Sequence, residues 1–310
     1  MMKNIVITGA TSFIGVHLIE ELSRQGNYDI YAIIRPNSAN KYRLDSISEI
    51  NVVECSLADM NNLYDKLPEQ IDVFYHLAWE GARRPHRDDA ALQEKNYNAA
   101  LKAFALAVAK KCKVFVGAGS QAEYGKTVGT ITEDYPTEPT TEYGKYKLKA
   151  YQEISRIGKE KGVAVKWPRI FSAYGRYDYA GTLLMSAIDK FQKNEPLDMT
   201  QGLQNWNYLY VRDIAKMLIL VGTAKCEDGV YNFASLDNRS LRDYILELKN
   251  ILKSNSNISF GAVSYSSEGV ISFEPVINKF VNNFQDAEFT SFVKGVQEMI
   301  HLQSYSKLVE

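Results

Sequence analysis

The stretch Lys3-Asn-Ile-Val-Ile-Thr-Gly-Ala-Thr-Ser-Phe-Ile-Gly15 decides the fold of this chain. It begins with an apolar run, 3–8, that predicts a buried strand and leads directly into a turn of small residues. From Val16 to Leu22 the apolar spacing predicts a helix. A strand, a glycine turn and a helix in this order are typical of a dinucleotide-binding fold, in which backbone N–H groups and the helix N-terminus hold a pyrophosphate.

The rest of the chain alternates short apolar runs with helical patterns. Strands are predicted at 3–8, 28–34, 50–54, 71–77, 113–118 and 163–170, and helices at 16–25, 88–110 and 143–161. This alternation requires right-handed crossovers and a parallel sheet that is covered by helices on both faces. The predicted fold class is therefore α/β, with a Rossmann-type doubly wound parallel sheet.

Tyr143-Gly-Lys-Tyr-Lys147 places a phenol and an ammonium four positions apart, on one face of a predicted helix. The phenol is a proton donor with a reference pKa of roughly 10, which a neighbouring ammonium lowers. Such a pair suits protonation of a carbonyl oxygen while hydride arrives at the carbon, or the reverse reaction. The spacing alone is common on solvated helix faces, so the interpretation depends on the glycine turn at the N-terminus.

Five segments in order resemble one family: Thr8–Gly15, His76–Trp79, Ser120–Gly125, Tyr143–Lys147 and Arg169–Gly175. They are similar to the glycine turn, the strand-four signature, the loop of the catalytic Ser or Thr, the Tyr-x-x-x-Lys element and the Arg-x-x-Asn-x-Tyr-Gly stretch of the extended short-chain dehydrogenases/reductases. Within that family the chain resembles the NAD-dependent epimerase/dehydratase group, which mostly acts on nucleotide sugars. The resemblance covers nearly the whole chain.

The resemblance implies a catalytic role for three residues. Ser120 would hydrogen-bond the substrate oxygen, and Tyr143 would be the acid or base. Lys147 would bind the nicotinamide ribose and hold down the pKa of Tyr143. Without the resemblance, Ser120 reads as a serine that ends a strand and caps the next turn. Dehydratases of the family carry a carboxyl residue directly after the Ser or Thr, where this chain has Gln121, so a 4,6-dehydratase is not expected.

The cofactor preference is predicted at the end of the second strand. NAD-preferring relatives place an acidic residue there, whereas this chain has Ile34 followed by Arg35. Because an arginine can pair with a 2′-phosphate, we expect NADP(H) in preference to NAD(H). The expected cofactor-binding residues are Gly9, Thr11, Ser12, Phe13, Ile14, Gly15, Arg35, Leu57, Leu77, Ala78, Lys147 and Ile170.

Two departures from the family pattern concern the substrate. Ser172 replaces the asparagine of the Arg-x-x-Asn stretch, and Trp206 stands where an arginine often meets the nucleotide diphosphate. Cations for a diphosphate are instead available in the loop after strand four, whose alternative interpretation is a solvated basic loop. The expected substrate-binding residues are Trp79, Arg83, Arg84, Gln121, Ser172 and Trp206.

The resemblance also divides the chain into two parts. Residues 1–173 are expected to form the cofactor domain, with 205–255 returning to it. Residues 174–204 and 256–310 are expected to form a smaller, C-terminal substrate-binding lobe. The helical segments around 96–110 and 143–161 resemble those that form a dimer interface in relatives, so a homodimer is expected by analogy.

Composition and charge exclude other classes. With 310 residues and 45% hydrophobic residues, the chain can bury a sizeable core. The net charge of −1 does not favour binding to nucleic acid or to an anionic membrane. No apolar run is long enough to span a bilayer, and a core strand at residue 3 leaves no room for a signal peptide. We therefore expect a cytoplasmic location.

Cysteine and histidine indicate no metal or disulfide framework. Cys55, Cys112 and Cys226 are odd in number and far apart, as is typical of buried thiols in a reducing compartment. The four histidines show no metal-ligand spacing, so no metal site is expected.

The sequence therefore predicts an NADPH-dependent reductase that acts on the keto group of a nucleotide-linked 4-keto-6-deoxysugar. The most similar enzymes by motif are the reductases that make abequose or 6-deoxytalose. A nucleotide-sugar epimerase with retained NAD, and a reductase of a non-nucleotide carbonyl, stay open as alternatives. A third alternative, from a different class of protein, is a non-catalytic, NADP(H)-sensing regulatory protein.

Overall fold

The computed structural model describes residues 2–265 and 270–306. Residues 266–269 and 307–310 of the predicted substrate lobe lie outside the described residues, as does the first residue of the predicted cofactor domain.

Strands occur along the whole described chain. They are β1 (Lys3–Thr8), β2 (Tyr28–Ile34), β3 (Ile50–Glu54), β4 (Val73–His76), β5 (Val114–Gly117), β6 (Gly119–Ser120), β7 (Thr130–Ile131), β8 (Ala164–Ile170), β9 (Ser172–Tyr174), β10 (Leu197–Met199), β11 (Asn205–Trp206), β12 (Tyr208–Tyr210), β13 (Gly229–Phe233), β14 (Arg239–Ser240), β15 (Ile258–Phe260) and β16 (Glu274–Pro275).

The helices alternate with these strands. They are α1 (Phe13–Gln25), α2 (Ala90–Ala109), α3 (Glu142–Lys161), α4 (Leu183–Gln192), α5 (Val211–Thr223), α6 (Leu241–Ile251), α7 (Asn278–Asn283) and α8 (Phe292–Ser306), with 3₁₀ turns at Lys41–Leu44, Leu57–Lys66, His86–Asp88 and Gln121–Glu123. Within the described ranges, no helix is both long enough and apolar enough to cross a membrane.

The central sheet confirms the predicted fold class. Its strands run in the order β13-β8-β5-β4-β1-β2-β3, with β6 also pairing with β8, and all of these pairs are parallel. In the register of the sheet, Thr8 at the end of β1 lies opposite Ile33 of β2 and His76 of β4. Because the carboxyl ends of parallel strands share one edge, the segments that follow these three strands meet there.

Helices cover both faces of the sheet, and successive side chains of a strand point to opposite faces. Each strand therefore contributes to two cores. On β1, Ile5 and Ile7 belong to a core with residues of α1 and α5, whereas Val6 belongs to a second core with residues of α2 and α3. All three side chains have no exposed surface. The continuous apolar pattern of 3–8 therefore has a direct structural cause.

A third core joins the C-terminal elements. It contains residues of α4, α6 and α8 together with β10 and β12, and it includes the fully buried Tyr244 and Val296. Its members come from both predicted parts of the chain, since α6 lies within 205–255 and α8 within 256–310. The boundaries between the two parts stay a prediction.

Candidate active site

The glycine turn after β1 is closely packed. Gly9 has a φ of +72°, and a Cβ there would lie 2.8 Å from the backbone N of Ala78, which follows β4. A Cβ on Gly15 would lie 2.2 Å from the carbonyl oxygen of Gly9. Ser12 begins α1 as its N-cap, because its Oγ accepts a hydrogen bond of 3.1 Å from the Gly15 N–H. Neither glycine position can hold a larger residue without moving the backbone.

A cavity of about 480 Å³ lies along this turn at the carboxyl edge of the sheet. Seven of the predicted cofactor-binding residues line it: Gly9, Thr11, Ser12, Arg35, Leu57, Leu77 and Ala78. The others lie outside its lining: Phe13, Ile14 and Gly15 in α1, Lys147 in α3, and Ile170 at the end of β8. Lining residues that sequence reasoning missed are Thr8, Ile33, Ser38, Asn40, Cys55, Ala58 and Glu80.

The cavity fits a dinucleotide. The backbone of a glycine turn that a Cβ would obstruct, followed by the N-terminus of α1, is the arrangement that binds a pyrophosphate. The polar segment after β2 contributes Ser38 and Asn40, and the Thr11 hydroxyl lies 3.1 Å from that of Ser38. The glycine turn and the N-terminus of α1 are the groups that would hold the diphosphate, and the polar segment after β2 lies beside them.

Arg35 is engaged by a carboxylate. Its Nη1 lies 3.2 Å from Oε1 of Glu80, and both side chains are about two-thirds exposed at the rim of the cavity. Glu80 is held in place through its backbone, because the Asn96 side chain accepts from its N–H at 3.0 Å and donates to its carbonyl at 2.9 Å. The guanidinium thus has a partner that would also repel a phosphate.

Ser120 ends β6 and begins the 3₁₀ turn Gln121–Glu123. Its Oγ accepts from the Ala122 N–H at 3.2 Å, and its own N–H donates to Oε1 of Glu123 at 2.8 Å. This capping box fixes the backbone of the serine. The structure therefore shows the cap that the sequence left as an alternative, at a residue that also lines a pocket with Tyr143.

Glu123 is a buried charge beneath this turn. Its side chain is fully buried; Oε1 also accepts from Nε1 of Trp167 at 3.0 Å, and Oε2 accepts from Nε of Arg169 at 2.9 Å. The sequence pattern assigned no role to Glu123. Its partners lie more than forty residues away on β8, so no local pattern could have revealed them.

Tyr143 lies in the first turn of α3, which Thr141 caps by accepting from the Gly144 N–H at 3.2 Å. Burial raises the pKa of the Tyr143 phenol above its ordinary value. A hydrogen bond with Ser120 and the positive charges of Arg87 and Arg83 oppose that rise. Ser120, Arg87 and Arg83 therefore favour the phenolate, and the role of Lys147 in lowering this pKa stays a prediction.

Lys147 is buried one turn further along α3. Its Nζ donates to the carbonyl oxygen of Ala118 at 2.6 Å and lies 3.9 Å from the centre of the Trp79 ring. Trp79 lines the large cavity, and its ring centre is 6.2 Å from that of Tyr143. Burial lowers the pKa of Lys147 to about 7. The ammonium and the phenol therefore both lie beside the Trp79 ring, which lines the cavity.

The lowered pKa of Lys147 makes stability depend on pH. Between about pH 7 and its ordinary pKa, the unfolded chain holds a proton on this lysine that the folded chain lacks, so stability rises with pH there. In Lys147→Met this contribution disappears. As the pH rises from 7 to 9, the free energy of unfolding of the wild type is expected to increase relative to that of the variant. The difference between the two proteins changes by at most about 1.4 kcal/mol per pH unit.

Urea unfolding of both proteins at each pH measures this effect. Lys149→Met, on the exposed face of the same helix, controls for the loss of a lysine. A difference between wild type and Lys147→Met that stays constant from pH 6 to 9 would contradict the prediction.

A second pocket, of about 250 Å³, contains the serine and the tyrosine. Three of the predicted substrate-binding residues line it: Arg83, Gln121 and Ser172. Trp79 lines the large cavity instead, whereas Arg84 and Trp206 line neither. Lining residues outside the predicted set are Ala82, Arg87, Ala122, Tyr143, Ser120, Ile170 and Phe171. Sequence reasoning had noted Arg87 only as part of a basic loop.

Trp206 is packed rather than open. Its ring centre lies 4.6 Å from that of Phe273, and its buried Nε1 has no hydrogen-bond partner among the described residues. In the pairing of β11 with β14, Trp206 stands opposite Arg239. The indole is therefore packed against Phe273 and lines neither cavity.

Solved structures share this fold over nearly the whole chain. UDP-N-acetylglucosamine 4-epimerase from Methanobrevibacter ruminantium M1 aligns with a TM-score of 0.87 at 19% identity, covering 98% of this chain and 99% of that one. UDP-glucuronic acid 4-epimerase from Bacillus cereus, in complex with UDP-glucuronic acid and NAD, aligns with a TM-score of 0.83 at 21% identity, covering 99% of this chain and 100% of that one.

Curated relatives are similar at the level of sequence. UDP-N-acetyl-alpha-D-glucosaminuronate decarboxylase of Bacillus cytotoxicus is 26% identical over 314 residues, with 97% of each chain covered. CDP-abequose synthase of Salmonella muenchen is 25% identical over 307 residues, covering 97% of this chain and 98% of the relative. dTDP-6-deoxy-L-talose 4-dehydrogenase (NAD(+)) of Aggregatibacter actinomycetemcomitans is 25% identical over 279 residues, covering 86% and 98%.

The expected preference for NADP(H) over NAD(H) is wrong. Several similar structures are complexes with NAD, and one of the curated relatives is named for NAD(+). The physical reason lies in the ion pair at the rim of the cavity. Arg35, which we expected to meet a 2′-phosphate, is neutralised by Glu80, a residue that follows β4 and is 45 positions away.

The family follows from the sequence as a whole. Residues 5–234, well over half of the chain, match the model of the family described as NAD dependent epimerase/dehydratase. This span contains the glycine turn, Ser120, Tyr143 and Lys147. Relatives of this chain include a nucleotide-sugar decarboxylase and a nucleotide-sugar dehydrogenase. The chain belongs to the NAD-dependent epimerase/dehydratase family of enzymes.

Proposed function

We propose that this enzyme is an NAD-dependent nucleotide-sugar epimerase in which Tyr143 exchanges a proton with a ring hydroxyl. The observation that carries the proposal is the convergence of Ser120 and Tyr143 on one pocket, with the Nζ of Lys147 5.8 Å from the centre of the Tyr143 ring and 3.9 Å from that of Trp79, which lines the large cavity. The sequence had favoured a reductase over an epimerase because of Arg35. The pairing of Arg35 with Glu80 weakens that argument.

The chain's own residues supply proton transfer and orientation. When bound, NAD supplies the acceptor and donor of hydride. Tyr143 takes the hydroxyl proton as the ring carbon is oxidised and returns it when the carbon is reduced. Ser120 hydrogen-bonds the same oxygen and stabilises the charge that develops there. The buried Lys147 holds a positive charge, or a donor, beside the phenol and the Trp79 ring.

A nucleotide sugar is the substrate class that the relatives support. The relatives that match over nearly their whole length are named for UDP-, CDP- or dTDP-linked sugars. The neighbouring structures contain UDP-linked sugars or act on them. We propose the same class here, with the nucleotide outside the small pocket and the sugar inside it.

The second candidate is the reductase that the sequence favoured, now with NADH. Its support is the full-length similarity to CDP-abequose synthase and to the 6-deoxytalose dehydrogenase. The same Ser120 and Tyr143 would polarise and protonate the keto oxygen of a 4-keto-6-deoxysugar.

Release of cofactor from the purified protein separates the two candidates. For the epimerase we expect the denatured protein to release close to one NAD per chain, and the native protein to convert a UDP-hexose to its epimer with no cofactor added. Oxidation of added NADH by CDP- or dTDP-linked 4-keto-6-deoxyglucose, with no NAD released on denaturation, would establish the reductase instead. If neither occurs, the proposed function fails.

The partner and the compartment stay proposals as well. We propose a homodimer that forms through α2 and α3, which pack side by side against the same face of the sheet, and a cytoplasmic location. Size-exclusion chromatography with light scattering measures the molar mass and therefore tests the homodimer.

A further inference from the structure

The small pocket carries positive charge and no acidic residue in its lining. Two guanidinium groups, Arg83 and Arg87, line it together with Ser120 and Tyr143. Arg83 is neutralised, since its Nη2 lies 3.0 Å from Oδ1 of Asp178, whose side chain is almost fully buried. The net charge of the pocket therefore comes from Arg87.

Arg87 lacks an acceptor for its inner nitrogen. Its Nε is buried and has no hydrogen-bond partner among the described residues. The contact of its Nη2 with the Thr141 Oγ1 is 3.5 Å long, at the outer limit for a hydrogen bond. A buried guanidinium donor that stays unpaired costs free energy, which a bound acceptor would recover.

The position of Arg87 shows which part of a substrate it would meet. Thr141 caps the helix that carries Tyr143 two residues later, and the guanidinium lines the same pocket as the phenol. In agreement, the charge of Arg87 lowers the pKa of that phenol. At about 250 Å³ the pocket is smaller than the roughly 300–1,000 Å³ of sites that enclose a whole ligand. It has room for a sugar ring, and the diphosphate must lie beyond it.

We infer that this pocket selects a sugar that bears a carboxylate next to the reacting carbon, and that Arg87 binds this carboxylate. The fork of a guanidinium matches the two oxygens of a carboxylate. The amide of Gln121, which also lines the pocket, provides a further donor. The inference rests on the proposed function, because it names the substrate class of the same site.

Equilibrium binding of UDP-glucuronate and UDP-glucose tests the inference, since the two ligands differ only in the carboxylate. Titration calorimetry in a Tyr143→Phe background prevents turnover. The Tyr143→Phe protein is expected to bind UDP-glucuronate at least about tenfold more tightly than UDP-glucose. Adding Arg87→Leu is expected to abolish this preference by weakening UDP-glucuronate alone, and Arg87→Lys to restore part of it.

Two controls keep the outcomes distinct. Arg156→Leu removes the same charge from the exposed side of α3 and is expected to leave the preference unchanged. The melting temperature reports folding, and the NAD released on denaturation reports the proposed function separately. The inference is overturned if the Arg87-containing protein shows no preference, whether both ligands bind alike or neither binds. It is also overturned if Arg87→Leu weakens both ligands equally, which would assign Arg87 to the diphosphate.

Discussion

Tyr143→Phe is expected to lower kcat by about 10²–10⁴-fold, the range that a positioned acid or base contributes. The substitution removes one oxygen atom and keeps the ring, whose edge-to-face contact with Trp79 stays in place. Folding, cofactor content and nucleotide-sugar binding are therefore expected to change little. The measurement is the initial rate on the substrate identified by the cofactor-release experiment, with NAD content and melting temperature alongside.

Tyr146→Phe is the matched control. Tyr146 lies one turn further along α3, where its ring neighbours Tyr97 rather than the pocket. It is expected to keep the wild-type rate. If Tyr143→Phe retained more than about a tenth of the wild-type rate, Tyr143 would lose its role as the acid or base.

Glu123→Gln is expected to cost about 3–5 kcal/mol of the free energy of unfolding, because it leaves the buried charge of Arg169 without its partner. Glu123 and Arg169 have side-chain exposures of 0% and 3%. The carboxylate also accepts from the Ser120 N–H and the Trp167 indole. An amide keeps one acceptor oxygen but turns an NH₂ group toward the donors on the other side.

The cost of this substitution extends to the site. The Ser120 backbone is fixed by the Glu123 side chain, so kcat is expected to fall together with stability. Urea unfolding and initial rates at a temperature well below the melting point separate the two effects. Glu153→Gln, which breaks an exposed ion pair with Arg156, is the matched control and is expected to change neither. Equal stability of the two variants would show that the buried pair contributes nothing.

The sheet could be predicted because its physical cause is local. Each core strand is apolar on both faces, so 3–8, 28–34 and 163–170 stand out as short apolar runs between helical patterns. The glycine turn could be predicted for a similar reason, since close backbone approach at Gly9 and Gly15 permits no side chain. Short strands such as β7 and β16 pair only with each other and carry no such pattern.

The site was only partly predictable. Ser120, Tyr143 and Lys147 stand in recognisable motifs, and the structure brings the first two to one pocket. Arg84 and Trp206 were expected at the substrate but line neither cavity. Trp206 is directed by its packing against Phe273, which a linear pattern does not record.

The sequence by itself determined the fold class, the family and the order of the motifs, because periodicity, glycine positions and motif spacing are properties of the chain alone. Only the tertiary structure decided what the charged groups do. Arg35 meets Glu80 across the cavity mouth, Glu123 meets Arg169 beneath Ser120, and Arg87 is left with an unpaired donor beside Tyr143. Coulombic and hydrogen-bond energies depend on distances in space between residues that are far apart in sequence, and those distances exist only once the chain has folded.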